Sequence, residues 1–166
     1  MMALINDMNS AKDHPGQPKL VVSNNTKADG LVFAEKNSVE TFAFDIEKIE
    51  DNLIFEEKTL QVLKEKNIDI ICLAGFMKIL SEKFIKSFSK PILNIHPSLL
   101  PSFKGLNTHQ RALKAGCLIH GATVHQITNK VDEGPILGQT LIDITKNSTA
   151  KQLEEKLLPL EHLLYK

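Results

Sequence analysis

Ile92-Leu93-Asn94-Ile95-His96-Pro97-Ser98-Leu99-Leu100-Pro101 reads as a strand running into a proline-bounded loop. From Ile92 to His96, side chains two apart share a face, so Asn94 and His96 point one way while Leu93 and Ile95 point the other. Pro97 lacks a ladder donor and biases His96 away from helical backbone, which ends the strand with the imidazole at its carboxyl end. In open α/β sheets, ligands bind in the crevice outside that end. An amide donor beside a titratable imidazole is what acyl-type transfer needs: Asn supplies a fixed dipole for a developing oxyanion, and His moves or holds a proton near neutral pH. The bland alternative is that the two side chains satisfy each other or nearby backbone.

Working outward, the segments on either side alternate between strand and helix patterns, which argues for a parallel α/β sheet. Ile68 to Leu73 is a nearly continuous β-branched and apolar run, as expected of a central parallel strand covered on both faces. Ser81 to Phe88 follows as a helix, with Ser81 as N-cap and Glu82 in the first turn. Upstream, Leu4, Ile5 and Met8 have helical spacing within Met1 to Asn9. Leu20-Val21-Val22 is a short strand, Ala28 to Lys36 a helix and Val39 to Phe44 another strand. Asp45 to Asn52 reads as a charged connection. Phe55 to Lys66 is an amphipathic helix with Leu60, Val62 and Leu63 inward and Glu56, Glu57, Lys58, Lys64 and Lys66 mostly toward solvent. Downstream, Thr108 to Ala115 is a short helix with Gly116 as C′ residue, and Ile119 to Ile127 and Pro135 to Ile144 are two strands. Ser148 or Thr149 caps a last helix whose Leu153, Leu157, Leu160 and Leu164 follow one face, with a kink expected at Pro159.

A chain of 166 residues with 42% hydrophobic content suits a single domain with a sizeable core. Twenty basic and twenty acidic side chains cancel, which gives no general field for nucleic acid or an anionic membrane and favours small-molecule partners. Cys72 and Cys117 have neither paired nor CxxC spacing, so no disulfide framework or zinc site is indicated, and a reduced, cytoplasmic setting is expected. The longest apolar run, Ile68 to Met77, is too short to span a bilayer, and the amino terminus has no signal-like core. No Walker-type loop or GxGxxG opens a helix.

Asn129-Lys130-Val131-Asp132-Glu133-Gly134-Pro135 is a second polar feature, an acidic turn between apolar strands, and such turns are ordinarily just solvated loops. A carboxylate from it lying near His96 would favour the protonated imidazole and complete an amide, imidazole and carboxylate set. Metal binding is the rival use of these residue types. His120 and His125 are five apart and face opposite sides of a regular strand, so they do not readily share an ion, and no local zinc motif occurs; no metal is expected. Structural hydrogen bonding is the plain expectation for His109, His120 and His125.

Leu73-Ala-Gly-Phe-Met-Lys-Ile-Leu80, Asn94-Ile-His-Pro-Ser-Leu-Leu-Pro101, Gly105-Leu-Asn-Thr-His109, His120-Gly-Ala-Thr-Val-His125 and Asp132-Glu-Gly-Pro135 together closely resemble the glycinamide ribonucleotide (phosphoribosylglycinamide) formyltransferase family, from about Leu20 to Leu164. The resemblance implies a Rossmann-like, open, mostly parallel sheet flanked by helices, with an antiparallel strand pair in the C-terminal part. It implies transfer of a formyl group from 10-formyltetrahydrofolate, a cosubstrate, to the amine of glycinamide ribonucleotide. Asn94, His96 and Asp132 would be catalytic. Met77, Lys78, Ile79, Leu80, Asn94, Ile127, Thr128 and Val131, with the rest of the loop to Asp132, would line the folate cleft. Ile95, Pro97 and Glu161 would lie near the ribonucleotide, Glu161 accepting from ribose hydroxyls. Against the family pattern, an initial strand and its Gly-rich phosphate turn, and the extreme C-terminus, are expected to be missing, and Lys78 stands where an Arg is common. A related folate-dependent formyl transferase or deformylase, and a silent folate-binding protein, are the alternatives; homo-oligomerisation is left open.

Overall fold

The computed structural model describes residues 1–45 and 49–166. In chain order its elements are α1 (Met2–Met8), β1 (Leu20–Ser23), α2 (Asp29–Lys36), β2 (Glu40–Ala43), α3 (Ile49–Glu65), β3 (Ile71–Leu73), α4 (Glu82–Phe88), β4 (Ile92–His96), α5 (Thr108–Lys114), β5 (Ile119–Gln126), β6 (Ile136–Asp143) and α6 (Ala150–Leu164). Of the charged connection expected from Asp45 to Asn52, residues 46–48 lie outside the described residues, and from Ile49 onward it is the start of α3. The chain forms two compact units, Met1–Asp69 with Leu80–Lys90, and Ile70–Ile79 with Pro91–Lys166.

In the first unit β1 and β2 pair in parallel, from Leu20 opposite Glu40 to Ser23 opposite Ala43, with α2 as their connection. Ile5, Ala34 and Val39 form a buried cluster against Val21 and Phe33, so the helical spacing in α1 serves to bury Ile5. The solvent-side expectation for α3 holds for Glu57, Lys58 and Lys64 but fails at Glu56, which is 4% exposed. The reason is a specific partner: the Glu56 carboxylate accepts from the Ser81 backbone N–H at 2.8 Å and from the Ser81 hydroxyl. Ser81 Oγ in turn accepts from Phe84 N at 3.0 Å as the N-cap of α4. A buried carboxylate satisfied by charge-assisted hydrogen bonds thus joins α3 to α4.

In the second unit the sheet order is β3-β4-β5-β6, with β3 parallel to β4 and the other neighbours antiparallel. The central strand expected over Ile68 to Leu73 is instead only Ile71–Leu73 and lies at the edge of this sheet. The first residues of the run are used to close α3. Asn67 adopts φ +51°, and Ile68 N–H donates back to Leu63 O at 3.0 Å, the six-to-one bond of a left-handed helix cap. One face of β5 and β6 packs on α6, where Leu153 and Leu157 are buried against Ala122 and Ile142. Burying each leucine contributes about 1.5–3 kcal/mol, and the small Ala122, with no exposed surface, leaves them room. Thr149 and Gln152 form a reciprocal capping box at the start of α6, which continues through Pro159 to Leu164. Just beyond it the Tyr165 hydroxyl lies 2.9 Å from Leu73 O and 3.0 Å from Leu93 O, bridging β3 and β4. Among the described residues no helix is long and apolar enough to cross a membrane.

Candidate active site

β4 ends at His96, as its sequence pattern requires, and its antiparallel partner β5 sets His125 directly opposite Asn94 and Thr123 opposite His96. Cross-strand partners share a face, so these four side chains lie together. The opposite face carries Ile95, whose side chain packs on the Ala122 and Leu153 cluster. Asn94 Nδ2 lies 3.3 Å from His125 Nε2, and His125 Nδ1 lies 3.2 Å from Gln126 O. A carbonyl only accepts, so Nδ1 carries the proton and Nε2 accepts from the amide. That neutral ring agrees with its environment: burial holds His125 below the usual imidazole range, opposed by the Gln126 carbonyl and Asp132.

Asp132 reaches this face from the loop between β5 and β6. Its Oδ2 lies 3.5 Å from His96 Nδ1 and its Oδ1 lies 3.6 Å from His125 Nε2, with the carboxylate only 9% exposed. Two local features aim it. Asp132 adopts φ +53°, a left-handed conformation that Asp and Asn tolerate better than most residues. Gly134 passes so close to the backbone of Gln126 that an added Cβ would stand 1.7 Å from its carbonyl oxygen, so only glycine fits there. Gln126 N–H also donates to Pro135 O at 2.9 Å. The acidic turn is therefore not merely solvated.

The loop after β4 supplies the remaining contacts. His96 Nε2 lies 3.1 Å from Phe103 O, which makes Nε2 a donor, and Gly105 N–H donates to Asp132 Oδ2 at 2.8 Å. Lys104 Nζ pairs with Glu133 Oε1 at 2.8 Å, and this hydrogen bond holds the Glu133 carboxyl below its ordinary range. At the base of the loop Thr123 Oγ1 donates to Ser98 O and accepts from Leu100 N and Gln139 Nε2, so its hydrogen-bonding capacity is filled.

The structure thus brings together the three residues read as an amide, imidazole and carboxylate set, and places beside them His125, whose contacts to Asn94 and Gln126 O are the structural hydrogen bonding the sequence leads one to expect. The only signal for that placement was its even spacing from Thr123 on one strand; which side chain it would face depends on the β4–β5 register, which the sequence does not display. His109 and His120 stay apart from this group. They form their own contact at 2.9 Å, on the face of β5 opposite to His125. Of the other positions, Met77 and Ile79 are strongly exposed, Lys78 is exposed, and Leu80 belongs to the first unit. Ile127 donates its N–H to Ile92 O at 2.8 Å, the Thr128 hydroxyl lies near Lys130 O, and Val131 is exposed. Pro97 is half-buried beside His96. Glu161 lies on α6, where burial, then the charge of Glu154, raises its carboxyl above the ordinary range.

The profile of a protein family described as formyl transferase matches residues 1–166. Among curated relatives, the chain is 42% identical over 143 residues to the trifunctional purine biosynthetic protein adenosine-3 of Gallus gallus, covering 86% of this chain and 14% of that protein. It is 39% identical over 153 residues to the phosphoribosylglycinamide formyltransferase of Haemophilus influenzae, covering 92% of this chain and 72% of that one. The crystal structure of phosphoribosylglycinamide formyltransferase from Brucella melitensis superposes with a TM-score of 0.90 at 43% identity, over 99% of this chain and 84% of that chain. The chain spans only about a seventh of the trifunctional relatives.

Proposed function

Since the chain belongs to the formyl transferase family, we propose that it moves a formyl group from 10-formyltetrahydrofolate to the primary amine of glycinamide ribonucleotide, a cytoplasmic step of purine synthesis. The similarity to phosphoribosylglycinamide formyltransferases of Haemophilus influenzae and Brucella melitensis supports the choice of substrate. The observation that carries the chemistry is the meeting of Asn94, His96 and Asp132 on one face at the carboxyl end of β4.

The amine lone pair attacks the formyl carbon, a C–N bond forms, and the carbonyl electron pair moves to oxygen. Asn94 Nδ2 has two hydrogens; one is engaged by His125 Nε2 and the other is free to meet that oxyanion. Collapse breaks the bond to the folate nitrogen, which leaves with a proton while the former amine gives one up. His96 and Asp132 lie beside this exchange. His96 Nε2–H is taken up by Phe103 O while Nδ1 faces Asp132 Oδ2 at 3.5 Å, so an imidazole and a carboxylate able to receive the amine proton stand together beside the developing oxyanion. Met77, Lys78, Ile79, Ile127, Thr128 and Val131 are assigned to the folate, and Pro97, Glu161 and the main chain of Ile95 to the ribonucleotide.

The test is formyl transfer by the purified chain with both substrates. His96→Ala and Asp132→Asn each lower kcat by about a hundredfold or more while folate binding changes little. Formate release that proceeds equally well without the amine acceptor would refute the transferase reading.

A further inference from the structure

The loop between β4 and α5 places alternate residues in the left-handed region: Phe103 at φ +56°, Gly105 at +76° and Asn107 at +57°. Glycine adopts this freely, but a bulky aromatic does so only at a cost of about 1–2 kcal/mol, so Phe103 persists there only because something holds it. The same loop carries the two backbone groups that fix the site, the Phe103 carbonyl at His96 Nε2 and the Gly105 N–H at Asp132 Oδ2.

The N–H of the Lys104–Gly105 peptide group donates to Asp132, and the carbonyl of that same group accepts from Arg111 Nη1 at 2.5 Å. Arg111 reaches back from α5 over the start of its own helix. Nη1 also lies 3.3 Å from Leu106 O, and the guanidinium carbon stands 5.6 Å from the centre of the Phe103 ring. Arg111 is the chain's only arginine; every other basic side chain that carries a permanent charge is lysine. A lysine is a point charge on a flexible stem, whereas guanidinium is a planar fork that also stacks on aromatic rings. Holding two carbonyls and one ring at once is a task for the fork.

We infer that Arg111 is a positioning residue for the Asn94, His96 and Asp132 site. It fixes the Lys104–Gly105 peptide, so that Gly105 N–H seats the carboxylate while the preceding carbonyl pins the His96 ring with its proton on Nε2. Its charge on Lys104 O also polarises that peptide group and strengthens its N–H as a donor. Arg111 acts through the loop, which it touches at Lys104 O, Leu106 O and the Phe103 ring. The inference rests on the formyl-transfer reading for what the site does, and on contacts alone for how the site is held.

The experiment compares the full chain with Arg111→Ala and Arg111→Lys, recording ring 15N NMR of His96 (assigned with His96→Gln), kcat and KM for both substrates, and thermal unfolding. In the unaltered chain His96 shows a protonated Nε2. In Arg111→Ala the ring signals move away from that fixed pattern, kcat falls about tenfold to a hundredfold, and KM values and unfolding temperature stay close to those of the parent. Arg111→Lys matches Arg111→Ala in the ring signals, because a point charge does not rebuild the fork. His96 signals unchanged in Arg111→Ala overturn the inference, as does full retention of kcat. A parent chain that transfers no formyl group refutes the proposed function instead, and the ring signals still report whether Arg111 holds the loop.

Discussion

Acid should destabilise this fold through a histidine that takes no part in the proposed chemistry. His120 is 2% exposed, and its Nε2 lies 2.9 Å from Nδ1 of His109. That contact uses one proton between two nitrogens. Burial, reinforced by the charges of His109 and His96, pushes His120 from 6.5 down to about 4. A folded value below the unfolded one means that the unfolded chain takes up the proton first. The contribution is therefore complete above about pH 6.5 and is lost as pH falls toward 4. A gap of about 2.5 units, at 1.36 kcal/mol per unit, is about 3 kcal/mol in all, of which about 2 kcal/mol is gone by pH 5. Burial also lowers His109, opposed by Glu154, and adds in the same direction, whereas the raised Glu161 carboxyl has the opposite sign. Comparison with His120→Gln cancels both, because glutamine can donate to His109 but does not titrate. Urea unfolding of the two proteins from pH 8 to pH 5 should show the parent losing about 2 kcal/mol more than the variant. Parallel losses across that range would refute the argument.

Gly134→Ala places a Cβ against Gln126 O and should cost more than about 2 kcal/mol while also displacing Asp132, so urea unfolding and kcat decline together; an active variant of parental stability would contradict the close approach. Glu56→Ala removes the buried acceptor of two Ser81 donors and should cost about 1–3 kcal/mol, with Glu56→Gln milder because its amide oxygen still accepts; equal midpoints for the two variants in thermal unfolding would count against it.

Features governed by local chemistry were legible in the sequence. Ser81 caps α4, Gly116 takes φ +70° after α5, Thr149 opens α6, and Pro97 ends β4 after His96. Each depends on residues within a turn of one another, so the reading needs no knowledge of the remaining fold. What was illegible depends on partners far along the chain. Glu56 looks like any helix-surface carboxylate until Ser81, twenty-five residues on, is brought to it. Ile68 to Leu73 looks like one strand because apolar content does not reveal that Ile68 N–H is spent on closing α3. The place of His125 beside Asn94 depends on a strand register that the sequence does not display. Arg111 carries no sequence signal, because its hydrogen-bond partners are carbonyls, which no side-chain pattern records.

The acidic turn shows why a carboxylate aimed at a buried histidine can look ordinary in sequence. Asp132 supplies a left-handed residue, Glu133 pairs with Lys104, Gly134 permits backbone contact with Gln126, and the Pro135 carbonyl accepts from Gln126 N–H. Each residue type is explained by turn geometry, with nothing left over to signal chemistry. The turn and the site are separable only at the Asp132 charge. Asparagine tolerates the left-handed conformation as aspartate does and keeps an oxygen for Gly105 N–H, so Asp132→Asn preserves the geometry and removes only the negative charge facing His96. A fold of unchanged stability with transfer lost would assign that charge to catalysis. A variant with transfer intact would mean that the conformation of Asp132, and not its charge, is what the site requires.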